Sequence, residues 1–151
     1  MDTKPGNPPP LPRVSEMLCF SIYSAGHTFT QLYRPMLDAI GLTYPQFLVM
    51  IELWSRDGRT VKELGEALFL DSSTLTPLLK RLETAGLVTR TRNPEDERQV
   101  LLNLTAKGAA LQEQAGGVFD CVREAVGLDA KALEKIQAAL DTVRDSIRKR
   151  R

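Results

Sequence analysis

"TVKELGEALFLDSSTLTPLLKRLETAG", Thr60 to Gly86, holds two helix starts and two helix stops within 27 residues. Thr60 to Glu63 is a capping box, a hydroxyl residue followed three positions later by a carboxylate, and it opens a short helix to about Leu68. A few residues on, Asp71 to Thr74 offers fresh N-caps. Leu75, Leu78, Leu79 and Leu82 then stripe one face until Gly86 ends the second helix. Two short helices joined by so brief a turn predict a helix-turn-helix. The face opposite the leucines holds Ser73, Thr76, Pro77 and Lys80, flanked by Ser72, Thr74, Arg81 and Thr84. These side chains are small or basic, as groove contact requires. Hydroxyls bond phosphates or base edges, and cations neutralise phosphates or reach guanine in the major groove. Thr76 and Lys80 are the candidates nearest the bases.

Downstream the period changes. "LVTRTR", "NPEDE" and "RQVLLNL" place Val100, Leu102 and Leu104 in alternation with polar positions, which predicts a two-stranded ribbon. Its tip holds Arg90, Arg92 and Arg98, with Asp96 spaced to hold Arg98 rigid for a minor-groove insertion. Asp71 to Arg98 carries five basic and five acidic residues. A nonspecific DNA binder would be more basic, so positioned arginines rather than a broad positive field are expected to carry binding. Thr105 caps a predicted helix bearing Leu111, Ala115, Val118, Val122 and Val126. After Gly127, Asp129 starts a last helix striped by Leu133, Ile136, Leu140, Val143 and Ile147.

Upstream, Leu18, Ile22, Ala25, Phe29, Leu32 and Met36 mark a helix from about Val14, with Ser15 as its cap and Pro35 kinking or ending it. Gly41 is a C-terminal cap, and Thr43 to Gln46 opens a further helix to about Arg56. The end helices carry more apolar stripe than a chain of this size covers from within, so they are expected to pack on a second copy in a two-fold homodimer. The fold class read from this pattern is mainly α with a small β wing. Residues 1–13 are expected to form a disordered Pro-rich arm, 14–42 and 105–151 a helical dimerisation region, and 43–104 a winged helix-turn-helix, the whole making one intertwined domain.

Composition narrows the function classes. Hydrophobic content of 42% with 26% charged residues is that of a soluble globular protein, and no apolar run approaches the roughly 20 residues of a membrane helix. The N-terminal "MDTKPGNPPPLPR" lacks the apolar segment of a signal peptide. Two cysteines about a hundred positions apart, with no export signal, point to free thiols in the cytoplasm. His27 is the single histidine, so no metal site is expected, and no motif requires a cofactor. The only concentrated basic run is "RKRR", Arg148 to Arg151, which reads as a solvated helix end favoured by the helix dipole.

"EMLCFSIYSAGHTFTQLYRP" adds Cys19, Tyr23 and Tyr33 on the first helix. By residue type alone Cys19 reads as a buried core cysteine, and Tyr33 and Tyr44 as interface packing with satisfied hydroxyls. "GLVTRTRNPEDERQVLLNLTAKGAAL", Gly86 to Leu111, with Asp96 to Arg98 followed by "LTAKG", resembles the MarR family of dimeric winged-helix regulators. "LCFSIYSA", "LYRPMLDAIGLTYPQFLVMIELW" and "LDSSTLTPLLKRLE" extend the likeness to that family's organic hydroperoxide resistance regulators, over roughly Glu16 to Val126. The resemblance implies a recognition helix over Ser72 to Ala85 and a wing over Arg90 to Arg98. It makes Cys19 the peroxide-sensing thiol, with Tyr33 and Tyr44 of the other subunit bonded to it; Tyr23, one helical turn from Cys19, is a third candidate by spacing. It makes Cys121 the resolving thiol of the two-cysteine subgroup. Phe47 departs from the pattern, standing where relatives carry another tyrosine.

What the resemblance implies is a repressor that binds double-stranded operator DNA as a reduced homodimer. It releases DNA when organic hydroperoxide oxidises Cys19 and an intersubunit disulfide to Cys121 follows. Thiolates, not thiols, react with peroxide, and phenol donors stabilise the anion. Phe20, Ile22, Phe29 and Phe47 are apolar neighbours that suit a lipid or alkyl hydroperoxide over hydrogen peroxide, and most of them read equally well as core. Two other readings stand beside it: a MarR-type repressor released by a phenolic ligand, and a thiol peroxidase. Against the enzyme, there is no CxxC motif and no βαβ pattern.

Overall fold

The computed structural model describes residues 6–151, so residues 1–5 of the proline-rich arm lie outside the described residues. The chain divides into two compact units, one up to Tyr44 and one from Pro45 onward.

In the first unit, residues 6–13 are exposed and without regular structure. A single 3-10 turn, Val14–Glu16, follows, held by the Arg13 N–H donating to the Glu16 carboxylate at 2.9 Å. Helix α1 then spans Leu18–Asp38 with Met17 at its N-cap and no side-chain cap. The expected start at Val14 with Ser15 as cap is corrected: Met17 is extended, at φ −94° and ψ 120°, and separates the turn from the helix. Pro35 does not end α1 but lies inside it, three residues before its last residue, Asp38. Only the N–H that would bond the preceding turn is lost there. Gly41, at φ +74°, makes the stop. The Leu42 N–H reaches back to the Leu37 carbonyl at 3.0 Å and the Gly41 N–H to Asp38 at 3.1 Å, a Schellman closure.

The second unit holds the remaining elements. Helix α2, Tyr44–Ser55, begins at the unit boundary and buries Phe47, Val49, Met50 and Leu53. The Asp57 carboxylate accepts the Gly58 N–H at 2.9 Å and the Leu104 N–H at 2.8 Å, pinning the turn to the far end of the wing. Strand β1, Arg59–Thr60, leads into α3, Val61–Leu68. Its capping box is formed on both sides: Glu63 N–H to Thr60 Oγ1 at 3.0 Å and Thr60 N–H to the Glu63 carboxylate at 2.8 Å. The Thr60 N–H bond first, and the Arg56 guanidinium after it, hold the Glu63 carboxyl below its usual range.

Helix α4, Ser72–Thr84, follows, then strands β2, Val88–Asn93, and β3, Asp96–Leu104. The expected two-stranded ribbon is a three-stranded antiparallel sheet of order β1-β3-β2. The added strand has two residues, too few for a period-2 pattern to reveal. The helix expected from Thr105 to Val126 is broken at Leu111 into α5, Ala106–Ala110, and α6, Gln112–Val126. Gly127, at φ +66°, caps α6, and Asp129 caps α7, Ala130–Arg148, through the Ala132 N–H at 2.8 Å.

The core is the leucine face of α4 (Leu75, Leu79, Leu82) with Leu64, Phe47, Met50, Leu53 and Leu102, all essentially without solvent exposure. In α7 no residue is buried. Ile136 is 47%, Leu140 40% and Ile147 59% exposed, and Leu18, Ile22 and Phe29 of α1 are 58%, 40% and 42% exposed. Among the described residues no helix is long and apolar enough to cross a membrane.

Candidate DNA-binding surface and thiol site

Helix α4 is built to present one face. Asp71 caps it: the carboxylate accepts the Thr74 N–H at 3.0 Å and the Ser73 hydroxyl at 2.7 Å. Those bonds, the Ser73 hydroxyl first and the Thr74 N–H next, hold the Asp71 carboxyl below its usual range. Ser73 is thereby turned toward its own cap. Ser72, Thr74, Thr76, Pro77, Lys80, Arg81 and Thr84 are all exposed, as the spacing from the leucines requires.

The end of α4 is fastened by the segment that follows the wing. Gly86, at φ +75°, reverses the chain. Thr105 donates its hydroxyl to the Gly86 carbonyl at 2.6 Å while its oxygen accepts the Gly108 N–H at 3.0 Å, and the Lys107 ammonium reaches the Ala85 carbonyl at 3.1 Å. At Gly108 an added Cβ would lie 2.0 Å from the Leu87 carbonyl oxygen, so no other residue fits. "LTAKG" is therefore a clamp on the α4 C-terminus. The role of Lys107 and Gly108 escaped sequence reasoning, because their partners lie some twenty residues away.

In the wing, Arg92 and Arg98 are exposed, and Arg98 Nε donates to the Asp96 carboxylate at 3.2 Å, as does its own backbone N–H. Arg90 is set differently. It pairs across the sheet with Leu102, as does Arg59 from the other side, so both arginines share the face of that buried leucine. Arg59 pairs with Glu52, while the Arg90 Nε is enclosed without a hydrogen-bond partner.

The thiol residues fall in both units. Cys19 is exposed and occupies the second position of α1, so the reading of it as a buried core cysteine is corrected. Met17 at the N-cap puts Cys19 inside the first turn, closer to the positive end of the helix dipole than Ser15 as cap would have put it. Tyr33 and Tyr44 are brought together, their rings 4.9 Å apart and tilted by 51°. Burial raises both phenols above their usual 10.0, and for Tyr33 the neighbouring Tyr44 adds to it. Both remain protonated donors at neutral pH. Tyr23 is not part of that pair: it is 71% exposed and stacks near His27 at 6.4 Å. Cys121 is exposed on α6. Phe47 is a core residue, 5.5 Å from the Phe119 ring and 6.2 Å from the Trp54 ring.

Comparison with known proteins fits this geometry. A profile of the family "Transcriptional regulator SarA/Rot" matches residues 31–114. The organic hydroperoxide resistance transcriptional regulator of Bacillus subtilis is 41% identical over 89% of this chain and 92% of its own. The chain belongs to the MarR-type winged-helix transcriptional regulators. Within that group, the reduced, DNA-bound structure of AbfR, a protein also solved from Staphylococcus epidermidis, aligns with a TM-score of 0.74. Its identity is 35%, over 89% of this chain and 94% of that one. The disulfide-formed AbfR structure aligns at 0.63 with 36% identity, over 86% and 91%. For a MarR-type regulator, α3 and α4 are the helix-turn-helix and β2–β3 the wing.

Proposed function

We propose that this regulator is a thiol-switched repressor. A reduced homodimer, with 14–42 and 105–151 as its dimerisation region and 43–104 as its DNA-reading region, holds a pseudo-palindromic operator. Ser72, Ser73, Thr74, Thr76, Pro77, Lys80 and Arg81 face the major groove, and Arg92 and Arg98, the latter steadied by Asp96, enter the minor groove. Arg90 supports the wing from beneath. The observation that carries the redox reading is the pairing of the Tyr33 and Tyr44 hydroxyl-bearing rings in a chain whose exposed Cys19 lies 14 residues before Tyr33 on the same helix. On one straight helix 14 residues span about 21 Å. The phenols therefore serve the Cys19 of a second copy, with α1 helices antiparallel about the dyad.

The thiolate of Cys19 attacks the peroxide oxygen, the O–O bond breaks, the alcohol leaves with a proton, and Cys19 becomes a sulfenic acid. The Cys121 thiol of the partner subunit then displaces water from that sulfur to form a disulfide, which cellular thiols reverse by exchange. Closing that bond draws α1 and α6 together and changes the spacing of the recognition helices. The relative named for organic hydroperoxide resistance and the AbfR structures named as reduced and disulfide-formed support this chemistry.

The test is binding to the DNA upstream of the protein's own gene, by wild type and Cys19→Ser, reduced and after stoichiometric cumene hydroperoxide. Release by wild type alone is expected, and identical behaviour of the two proteins sinks the switch. Cys121→Ser separates the disulfide from sulfenic acid formation, and a non-reducing gel reads it directly. A second reading, release by a reversibly bound phenolic ligand, draws on a cavity of about 300 Å³ lined by Ile51, Trp54, Ala115 and Phe119. Under reducing conditions, ligand-driven release from Cys19→Ser identifies it.

A further inference from the structure

The segment Asp71 to Arg98, which supplies both DNA-facing elements, is charge-balanced at five against five. Affinity for DNA rests largely on cations that neutralise phosphates and release counterions. The only concentrated source of such cations is Arg148–Arg151. Removing these four from a net charge of +1 leaves the rest of the chain at −3. No carboxylate among the described residues pairs with any of the four, whereas Arg144 is neutralised by Asp141 and Asp145 at 2.7 and 3.1 Å.

The run is held in one place. Phe69, the hinge of the helix-turn-helix, takes a left-handed conformation at φ +56°, uncommon for an aromatic residue. Its half-exposed ring carries the Arg144 guanidinium 4.0 Å from its centroid and that of Arg148 at 5.0 Å. Two cation–π contacts thus fix the end of α7 to the turn that delivers α4. Past Arg148 the chain keeps its course, with the Arg150 N–H on Ile147 at 3.1 Å and the Arg151 N–H on Arg148 at 3.2 Å. Arg148 and Arg151 join Lys62, Phe69 and Ser72 around an open hollow of about 550 Å³. Glu66 and Asp71 also line it, and the Asp71 charge is turned onto the α4 backbone.

We propose that Arg148–Arg151 is a DNA-backbone contact, gripping phosphates that flank the segment read by α4. A solvated helix end accounts for cations at the α7 terminus; it does not account for their being stacked on the helix-turn-helix hinge. The proposal rests on α4 as the DNA-reading helix and adds a concentrated positive element to the charge-balanced segment formed by α4 and the wing.

The test compares wild type, Arg150→Gln/Arg151→Gln and Arg150→Lys/Arg151→Lys, all leaving the Arg148 stack in place. Each is titrated over a range of salt with the duplex from upstream of the gene and with an unrelated duplex of the same length. The glutamine variant is expected to bind both duplexes at least about tenfold more weakly at low salt, with a log–log salt slope shallower by about two to four, and the lysine variant to regain the slope. An unchanged slope overturns the proposal, whether affinity holds or falls. Wild type that binds neither duplex at low salt overturns the DNA-reading assignment itself, and this contact with it.

Discussion

Asp71 works through its charge. Held below its ordinary value near 3.8, its carboxylate stabilises the start of α4 at neutral pH, and that contribution is lost as pH falls through the folded value. Asp71→Asn, which still caps but cannot ionise, is expected to flatten the acid limb of the stability curve below about pH 4. Superimposable acid limbs for the two proteins refute this. The tyrosine pair has the opposite sign. With both phenols raised above 10.0, the unfolded chain ionises first, so stability falls as pH rises past that value. Tyr33→Phe/Tyr44→Phe should lose that alkaline limb and, if the phenols serve the thiolate, slow oxidation of Cys19 by cumene hydroperoxide. Cys19, Tyr33 and Tyr44 stood out as chemistry only through the family resemblance, since by residue type alone a cysteine and two tyrosines on apolar faces read as core and interface packing. That Tyr23 stands apart from the pair was not legible, because helical spacing alone places it one turn from Cys19.

At the scale of elements, the winged helix is a set of short pieces fixed by caps and staples. Thr60→Ala removes one side of the α3 capping box and should cost about 1 kcal/mol in urea unfolding. Gly108→Ala forces a methyl against the Leu87 backbone and should cost about 1–3 kcal/mol while loosening the α4 terminus. Operator affinity equal to wild type in that variant would show that the clamp does not position α4. The boundaries of α3 and α4 could be read from Thr60, Asp71 and Gly86 because caps are local signals. β1 and the break at Leu111 could not. A two-residue strand exists only through its pairing with Leu101 and Leu102, and no glycine, proline or capping residue stands at Leu111 to mark the break.

For the whole molecule, the exposed stripes of α1 and α7 are what a second copy would cover. Ile136→Glu/Leu140→Glu is expected to yield monomers by sedimentation and to weaken operator binding at least about tenfold, since one half-site then binds alone. A variant that stays dimeric would move the interface off α7. One further property follows from the Trp54 hydrogen bond. The chain holds a single tryptophan. Its indole N–H donates to the Gly108 carbonyl at 2.9 Å, it lies edge-on to Phe47, and with Phe119, two residues before Cys121, it lines the same cavity. Its emission thus has one origin, sited where α5 and α6 meet α2. A movement of those helices that breaks this hydrogen bond or admits water to the ring would change the emission, so the regulator carries its own fluorophore. The colour and intensity of that light can be followed in real time, without a label and without DNA.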